Sequence, residues 1–441
     1  MKPYAQPVVE WLGTTPHGWS QPRLKTVFRD NTGTISMERL AELEVQHYSI
    51  PNFDEFGAPA REDGATIASN KTLLRGGEIL FSKLNCHKPR VWLVPHDDQI
   101  KVASTEFIPL VEWHSGGVDK RFTTYLIGSA VFAEYMTCFQ TSVTNSHRRI
   151  NPNDLWQTRI PLPLLSEQQR IAAYLDASCA AIDAAVTAKR CQLDTLDAVR
   201  NSLIESAVTK GIQPGVRCRR VNEDWIGEIP EHWSVCRIKR VVSQVDYGIS
   251  ESSEPEGRFQ VLKMGNIQSG EIVFSKIEFV EEVSEDLLLE KGDLLYNRTN
   301  SPDQVGKAAI FRGNKADEVT FASYLVRLRT SHRADPYYLN YLLNSSGFLA
   351  FARKLAIPSV QQSNLNSTRY CRMLIPLPSR KEQEVICAHL DEKLGDLKQV
   401  VAGIETQIAT LTTYRKSLIH ECVTGQRRVT EADLNHVTAH G

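Results

Sequence analysis

The chain has 441 residues and carries 51 Lys and Arg against 52 Asp and Glu, a formal net charge of −1. That length exceeds what one core normally fills, so two or more domains are expected. Hydrophobic residues at 41% and charged residues at 23% are ordinary for a folded globular protein, and a pI near 6.9 excludes a chain that coats DNA indiscriminately.

The start, Met1-Lys-Pro-Tyr-Ala-Gln6, has no apolar core of a secretory signal, and apolar runs fall short of the ~20 residues that cross a bilayer. A cytoplasmic location without membrane contact is expected. The nine cysteines are dispersed without a C-x-x-C pair, so reduced structural thiols and no metal site are expected.

In chain order, the first marked element is Trp11-Leu-Gly-Thr-Thr-Pro16-His-Gly-Trp19-Ser20. A β-rich stretch follows, with short runs such as Glu78-Ile-Leu-Phe bounded by turn residues. Arg159-Ile-Pro-Leu-Pro163 then closes the domain in extended conformation, because proline blocks a helix and constrains its predecessor. Ser166-Glu-Gln-Gln169 has the spacing of a capping box and predicts a helix start. The helix carries Leu175, Cys179, Ile182, Val186, Leu193, Leu196, Leu203 and Ala207 near a 3.5-residue period, interrupted by Lys189 and Arg200.

The second half repeats this order about 215 residues later. Trp225-Ile-Gly-Glu-Ile-Pro230-Glu-His-Trp233-Ser234 matches the first Trp block, and Gly292-Asp-Leu-Leu-Tyr-Asn-Arg298 matches Gly77-Glu-Ile-Leu-Phe-Ser-Lys83. Leu374-Ile-Pro-Leu-Pro378 matches 159–163, and Glu382-Gln383 matches Glu167-Gln168. Ser379-Arg-Lys-Glu382 again has capping-box spacing. The second helix carries Leu390, Leu394, Leu397, Val401, Ile404, Ile408, Leu411, Leu418 and Cys422, with Arg415 interrupting at the position equivalent to Arg200. By contrast, 21–74 barely resembles 235–289, so each half joins a shared frame to a divergent insert.

Each helix spans about 44 residues, roughly 65 Å. A stripe this narrow must bury itself against another helix, and the other copy is the nearest candidate. The predicted fold class is α+β: two similar α/β domains separated by two long antiparallel coiled-coil helices with pseudo-two-fold symmetry. The predicted boundaries are 1–165 for the first domain, 166–210 for its helix, 211–378 for the second domain, 379–425 for its helix, and 426–441 for a tail. Unlike heads at fixed spacing suit a ligand with two separated sites, such as duplex DNA. They equally suit a scaffold that binds other proteins through two heads on a rod.

The paired W-[LI]-G-x-x-P-x-x-W blocks, the I-P-L-P elements with their E-Q helices, and the S-L-I runs at Ser202 and Ser417 resemble type I restriction-modification specificity subunits. So do Tyr48-Ser-Ile-Pro-Asn-Phe-Asp54, Val261-Leu-Lys-Met-Gly-Asn-Ile267 and Ile357-Pro-Ser-Val-Gln-Gln-Ser-Asn364 within the inserts. The resemblance runs from residue 8 to about 425. It implies two target-recognition domains that bind a bipartite duplex site, with the helices as a ruler for the unread spacer. It further implies two methyltransferase partners that use S-adenosylmethionine on adenine N6. Nuclease/translocase partners would use ATP and Mg, leaving no cofactor in this chain. The partners' positive charge would then complement a nearly neutral specificity subunit.

The candidate DNA contacts are polar loop residues at equivalent places in the two halves. In the first they are Lys83, Asn85, Lys88, Arg90, Asn145, Arg148 and Arg149. In the second they are Asn297, Arg298, Asn300, Lys307, Gln361, Gln362 and Asn364. Arg can hold guanine and Asn adenine through paired hydrogen bonds, while Lys suits phosphate. Arg217, Arg219, Arg220, Arg237, Lys239 and Arg240 flank the second Trp block and could face phosphate or solvent. The four block tryptophans are expected to be packing anchors. No catalytic residue is expected: phosphate-binding G-x-x-x-x-G-K-[ST] and zinc H-E-x-x-H motifs are missing, and Asp335-Pro-Tyr-Tyr338 reads as a helix start. Inserting four residues after Lys189 is expected to change the spacer between methylated half-sites, which mapping of modified adenines would measure.

Overall fold

The computed structural model describes residues 11–12, 15–31, 33–114, 116–142, 148–359 and 362–440. The chain divides into two compact units, 1–189 with 405–441 and 190–404. Each unit contains one globular domain and parts of both long helices, which span Leu165–Lys210 and Arg380–Thr424.

The globular domains share one sheet. In the first unit β1 (Phe28–Asp30), β2 (Ile79–Ser82), β3 (Val91–Leu93) and β4 (Phe107–Glu112) form an antiparallel sheet in the order β1-β4-β2-β3. In the second, β5 (Val242–Tyr247), β6 (Leu294–Asn297), β7 (Ala308–Ile310) and β8 (Leu325–Thr330) repeat that order as β5-β8-β6-β7, extended by two further strands. The runs that read as continuously apolar are strands buried on both faces. Ile79 and Phe81 pack toward helices α1 (Lys120–Ile127) and α2 (Ala130–Thr137), while Leu80 enters a separate cluster with Tyr48 and Phe107. Leu294 and Tyr296 pack toward helices α3 (Pro336–Leu343) and α4 (Ser346–Leu355), and Leu295 packs with Phe311 and Phe321. Alternating side-chain directions make one strand serve two cores.

The inserts differ in structure as in sequence. The first contains a five-stranded sheet that includes Glu44–Tyr48, and the second contains a three-stranded sheet centred on Phe259–Leu262. The Tyr48–Asp54 run supports its own insert. Ser49 caps the short helix Ile50–Phe56, Asn52 donates to the His47 carbonyl and to Glu62, and Phe53 packs edge-on to Trp92.

The repeated Glu-Gln pair ties each long helix to its domain. The Gln168 Oε1 accepts from the Asp119 backbone N–H at 2.9 Å, and its Nε2 donates to the Pro163 carbonyl at 2.8 Å. Gln383 does the same with Asp335 at 2.6 Å and Pro378 at 3.0 Å. Asp119 and Asp335 in turn cap α1 and α3, so Asp335-Pro-Tyr-Tyr338 is the expected helix start. Glu382 accepts from Trp233 Nε1 at 2.9 Å. The capping-box expectation fails at Ser166, which lies inside the helix: Leu164 supplies the carbonyl that accepts from Glu167 and Gln168. Ser379 does cap the second helix, accepting from the Glu382 N–H at 3.3 Å. The buried glutamine therefore defines the start even where the cap side chain is apolar.

Each long helix ends at a left-handed glycine, Gly211 (φ 73) or Gly425 (φ 77). A Cβ on Gly211 would meet the Trp233 ring at 3.2 Å, and one on Gly425 would meet Trp19 at 3.2 Å. The Trp blocks thus pack where the helices stop. Trp11 also donates to the Arg159 carbonyl at 3.0 Å and lies edge-on to Phe132.

Along the helices the heptad positions are the less exposed ones. In the first unit Leu175, Ile182 and Leu418 are buried, and Val186, Ile408 and Leu411 are half-buried. In the second unit Leu390 is buried, and Leu193, Leu196, Leu203, Leu394, Leu397, Val401 and Ile404 are half-buried. The interruptions are polar cross-helix pairs in the first unit: Arg415 with Asp183 at 3.0 Å, and Lys189 Nζ with Gln407 Oε1. Their numbering shows that the two segments run antiparallel there. The first long helix also contains an 18-residue window of mean hydropathy 1.3, apolar enough by composition to span a membrane. Its Asp176 and Asp183 bind Arg121 and Arg415 within the unit. The tail adds a helix, Glu431–His440, whose Leu434 and Val437 pack against the first core.

Gln383→Leu would leave the Asp335 N–H and the Pro378 carbonyl without partners. We expect it to destabilise the second unit by about 2–3 kcal/mol, read as a lower midpoint in denaturant or thermal unfolding.

Candidate nucleic-acid interface

The loop after β6 is fixed by its main chain. The Arg298 N–H donates to the Tyr324 carbonyl at 3.0 Å, and the Arg298 carbonyl accepts from the Leu365 N–H at 2.8 Å. Thr299–Asn300 then pairs with Gln362–Asn364, which also pairs with Ile357–Ser359, in a small antiparallel sheet. Asn364 Nδ2 donates to Thr299 Oγ1 at 2.8 Å. Arg298, Asn300, Gln362 and Asn364, separated by some 60 residues in sequence, are thereby brought together. Lys307 lies on the same hairpin: its carbonyl accepts from the Asn297 N–H at 2.8 Å, and its Nζ donates to Gln304 at 2.8 Å.

The first unit builds the equivalent loop with the same bonds. The Lys83 N–H donates to the Glu106 carbonyl at 2.9 Å, and the Lys83 carbonyl accepts from the Ile150 N–H at 3.1 Å. Asn85, in left-handed conformation (φ 52), donates its N–H to the Arg148 carbonyl and accepts the Arg148 N–H on Oδ1 at 3.1 Å. Lys83, Asn85, Arg148 and Arg149 thus share one loop cluster, with Lys88 exposed beside it. Arg149 is exposed and forms a two-point pair with Glu106 at 2.9 and 3.0 Å; hydrogen bonding to that carboxylate raises its pKa.

Two candidates are corrected. Arg90 is 4% exposed and consumes its guanidinium internally, with Asp54 at 2.6 and 2.7 Å and with the Leu84 carbonyl at 3.3 Å. It braces the first insert and cannot reach a base edge. Asn297 is fully buried, and its amide meets no hydrogen-bond partner among the described residues. Asn145 and Gln361, like His147, lie outside the described residues. Arg217, Arg219, Arg220, Arg237, Lys239 and Arg240 are exposed, with Arg219 donating to the Trp233 carbonyl at 2.9 Å.

Tyr247 and Tyr324 belong to the second loop cluster and were not singled out from sequence. The Arg298 guanidinium lies over the Tyr247 ring, 5.2 Å from its centroid. Tyr247 is 42% exposed and Tyr324 45%. A tyrosine some 50 residues upstream has no local pattern that marks it. Among the described residues, no group of three His, Cys, Asp or Glu is placed to hold a metal ion.

Arg90→Ala tests the bracing role. We expect a loss of about 1–2 kcal/mol in the first unit, less than for a fully buried pair because Asp54 is 44% exposed. Hydrogen bonds from Arg90 hold the Asp54 carboxyl below its ordinary 3.8. Its contribution is therefore present above that value and lost as pH falls through the lowered one. The stability gap between wild type and variant should close at acid pH in denaturant titrations.

No family model matches the chain. A putative type I restriction enzyme MjaX specificity subunit from Methanocaldococcus jannaschii is 28% identical over 205 residues, 45% of this chain and 47% of that protein. The MjaVIII specificity subunit of the same organism is 27% identical over 62% of each chain. The EcoKI specificity subunit of Escherichia coli K12 is 20% identical over 63% of this chain and 59% of its own. The matched stretch thus spans about half to three fifths of these curated relatives. In fold, a chain from a solved type I R-M system matches with a TM-score of 0.73 at 17% identity, over 93% of this chain and 98% of that one. The HsdS subunit from Thermoanaerobacter tengcongensis matches at 0.52 and 19% identity, over 94% and 98%. The chain is therefore related, in sequence and in fold, to the specificity subunits of type I restriction enzymes.

Proposed function

We propose that this chain is the DNA-sequence specificity subunit of a type I restriction-modification complex. Each globular domain binds one half of a bipartite duplex site. The chain supplies recognition and no catalytic group. Two methyltransferase subunits, carrying S-adenosylmethionine, modify adenine N6, and nuclease/translocase subunits supply ATP- and Mg-dependent work. The assembly acts in the cytoplasm.

One observation carries this reading. Two frames of the same topology each present a polar loop held by the same pair of main-chain bonds, at Lys83 and at Arg298, beside inserts that differ. Equal frames with unequal reading surfaces suit two unlike half-sites. The near-zero net charge favours the competing reading, a protein scaffold with two heads. It is also compatible with DNA binding in which partners provide much of the phosphate contact.

Co-expression with the cognate methyltransferase in a host free of other adenine methylation, followed by mapping of N6-methyladenine, separates the two. We expect one motif made of two unlike half-sites with a fixed unread gap. A chain that forms the complex yet leaves no sequence-specific methylation would establish the scaffold.

A further inference from the structure

Arg298 is held differently from the ion-paired arginines of its unit. In the same unit Arg258, Arg312, Arg327, Arg329 and Arg380 are each paired with a carboxylate at 2.7 or 2.8 Å. Arg298 has no carboxylate partner among the described residues. What holds it is the Tyr247 ring under its guanidinium, 5.2 Å away, and a backbone bonded on both sides. Tyr247 is itself tethered: its hydroxyl is 2.8 Å from Ser367 Oγ and accepts the Ser367 N–H at 3.4 Å. Arg298 Nε is buried and meets no partner among the described residues, so any ligand must be met by the terminal nitrogens.

A planar, unpaired, pre-oriented guanidinium matches the two acceptors O6 and N7 on the major-groove edge of guanine. A cation–π contact with the tyrosine ring restrains the guanidinium without consuming the terminal donors. The first unit offers no such device at the equivalent position. Lys83 has a point charge without a fork, and that charge faces Asp30, whose carboxyl burial pushes above its ordinary range while the Asn31 backbone hydrogen bond and the Lys83 charge oppose the rise.

We propose that Arg298 specifies a G·C pair in the half-site bound by the second unit, with Tyr247 as its positioning residue. This assignment rests on the specificity-subunit reading. It predicts that the two half-sites differ in how strictly one base pair is demanded, because this loop position carries a ring-supported arginine fork in the second unit and a lysine in the first.

The test is selection of a randomised duplex library by the intact complex with its methyltransferase partner, using wild type and single variants whose unchanged melting confirms folding. Arg298→Lys keeps the charge and loses the fork. It should reduce discrimination at one G·C pair roughly tenfold or more while leaving the other half-site intact. Tyr247→Leu should reduce discrimination at the same pair a few-fold, and Tyr247→Phe, which keeps the ring and loses only the Ser367 tether, should reduce it less. An unaltered consensus, or a loss spread evenly over all positions, would overturn the assignment. If the wild-type complex enriches no bipartite sequence, the functional reading falls together with it. A wild-type bipartite consensus with unchanged variants removes Arg298 alone.

Discussion

The architecture depends on one buried amide at each junction between domain and long helix. A glutamine has one acceptor and a two-hydrogen donor group, and at Gln168 and Gln383 both ends are engaged. The acceptor takes the N–H of the aspartate that caps the adjacent short helix. The donor reaches the last proline carbonyl of the extended Pro-Leu-Pro element. Strand end, helix start and long helix are thereby locked in one geometry, so the direction in which the long helix leaves each domain is set by a few hydrogen bonds in a water-free site. The Trp blocks act at the far ends, where the glycine C-termini leave room for an indole that any Cβ would crowd.

Between those ends stability comes from a narrow apolar seam. In the middle of each long helix the heptad positions are half-buried and nearly every neighbour is exposed. The seam tolerates Lys189 and Arg415 because each finds a polar partner across it, Gln407 and Asp183, while its aliphatic stem covers apolar surface. Such pairs add little net energy, yet they penalise any shift in register that would separate them. A register device of this kind suits a helix pair whose span must be reproducible.

The loops show how a repeat produces two different surfaces. Main-chain bonds at Lys83 and Arg298 are the same, because a backbone donor and acceptor do not depend on the side chain. The side chains they present differ in kind. One loop offers a lysine near Asp30 and an arginine pair with Glu106; the other offers an arginine over a tyrosine and an amide-rich hairpin.

The sequence by itself determined the two-fold repeat, the α+β class, the heptad seam and the presence of a polar loop in each half. Those properties live in periodicity and in matching positions, which local chemistry dictates. Only the tertiary structure decided that Ser166 lies inside its helix while Leu164 does the capping. It also decided that Arg90 turns inward to Asp54, that Asn297 is sealed in the core, and that Tyr247 lies beneath Arg298. In each case the deciding partner is distant in sequence. A side chain's freedom to reach outward depends on which remote carboxylate, carbonyl or ring the fold brings beside it.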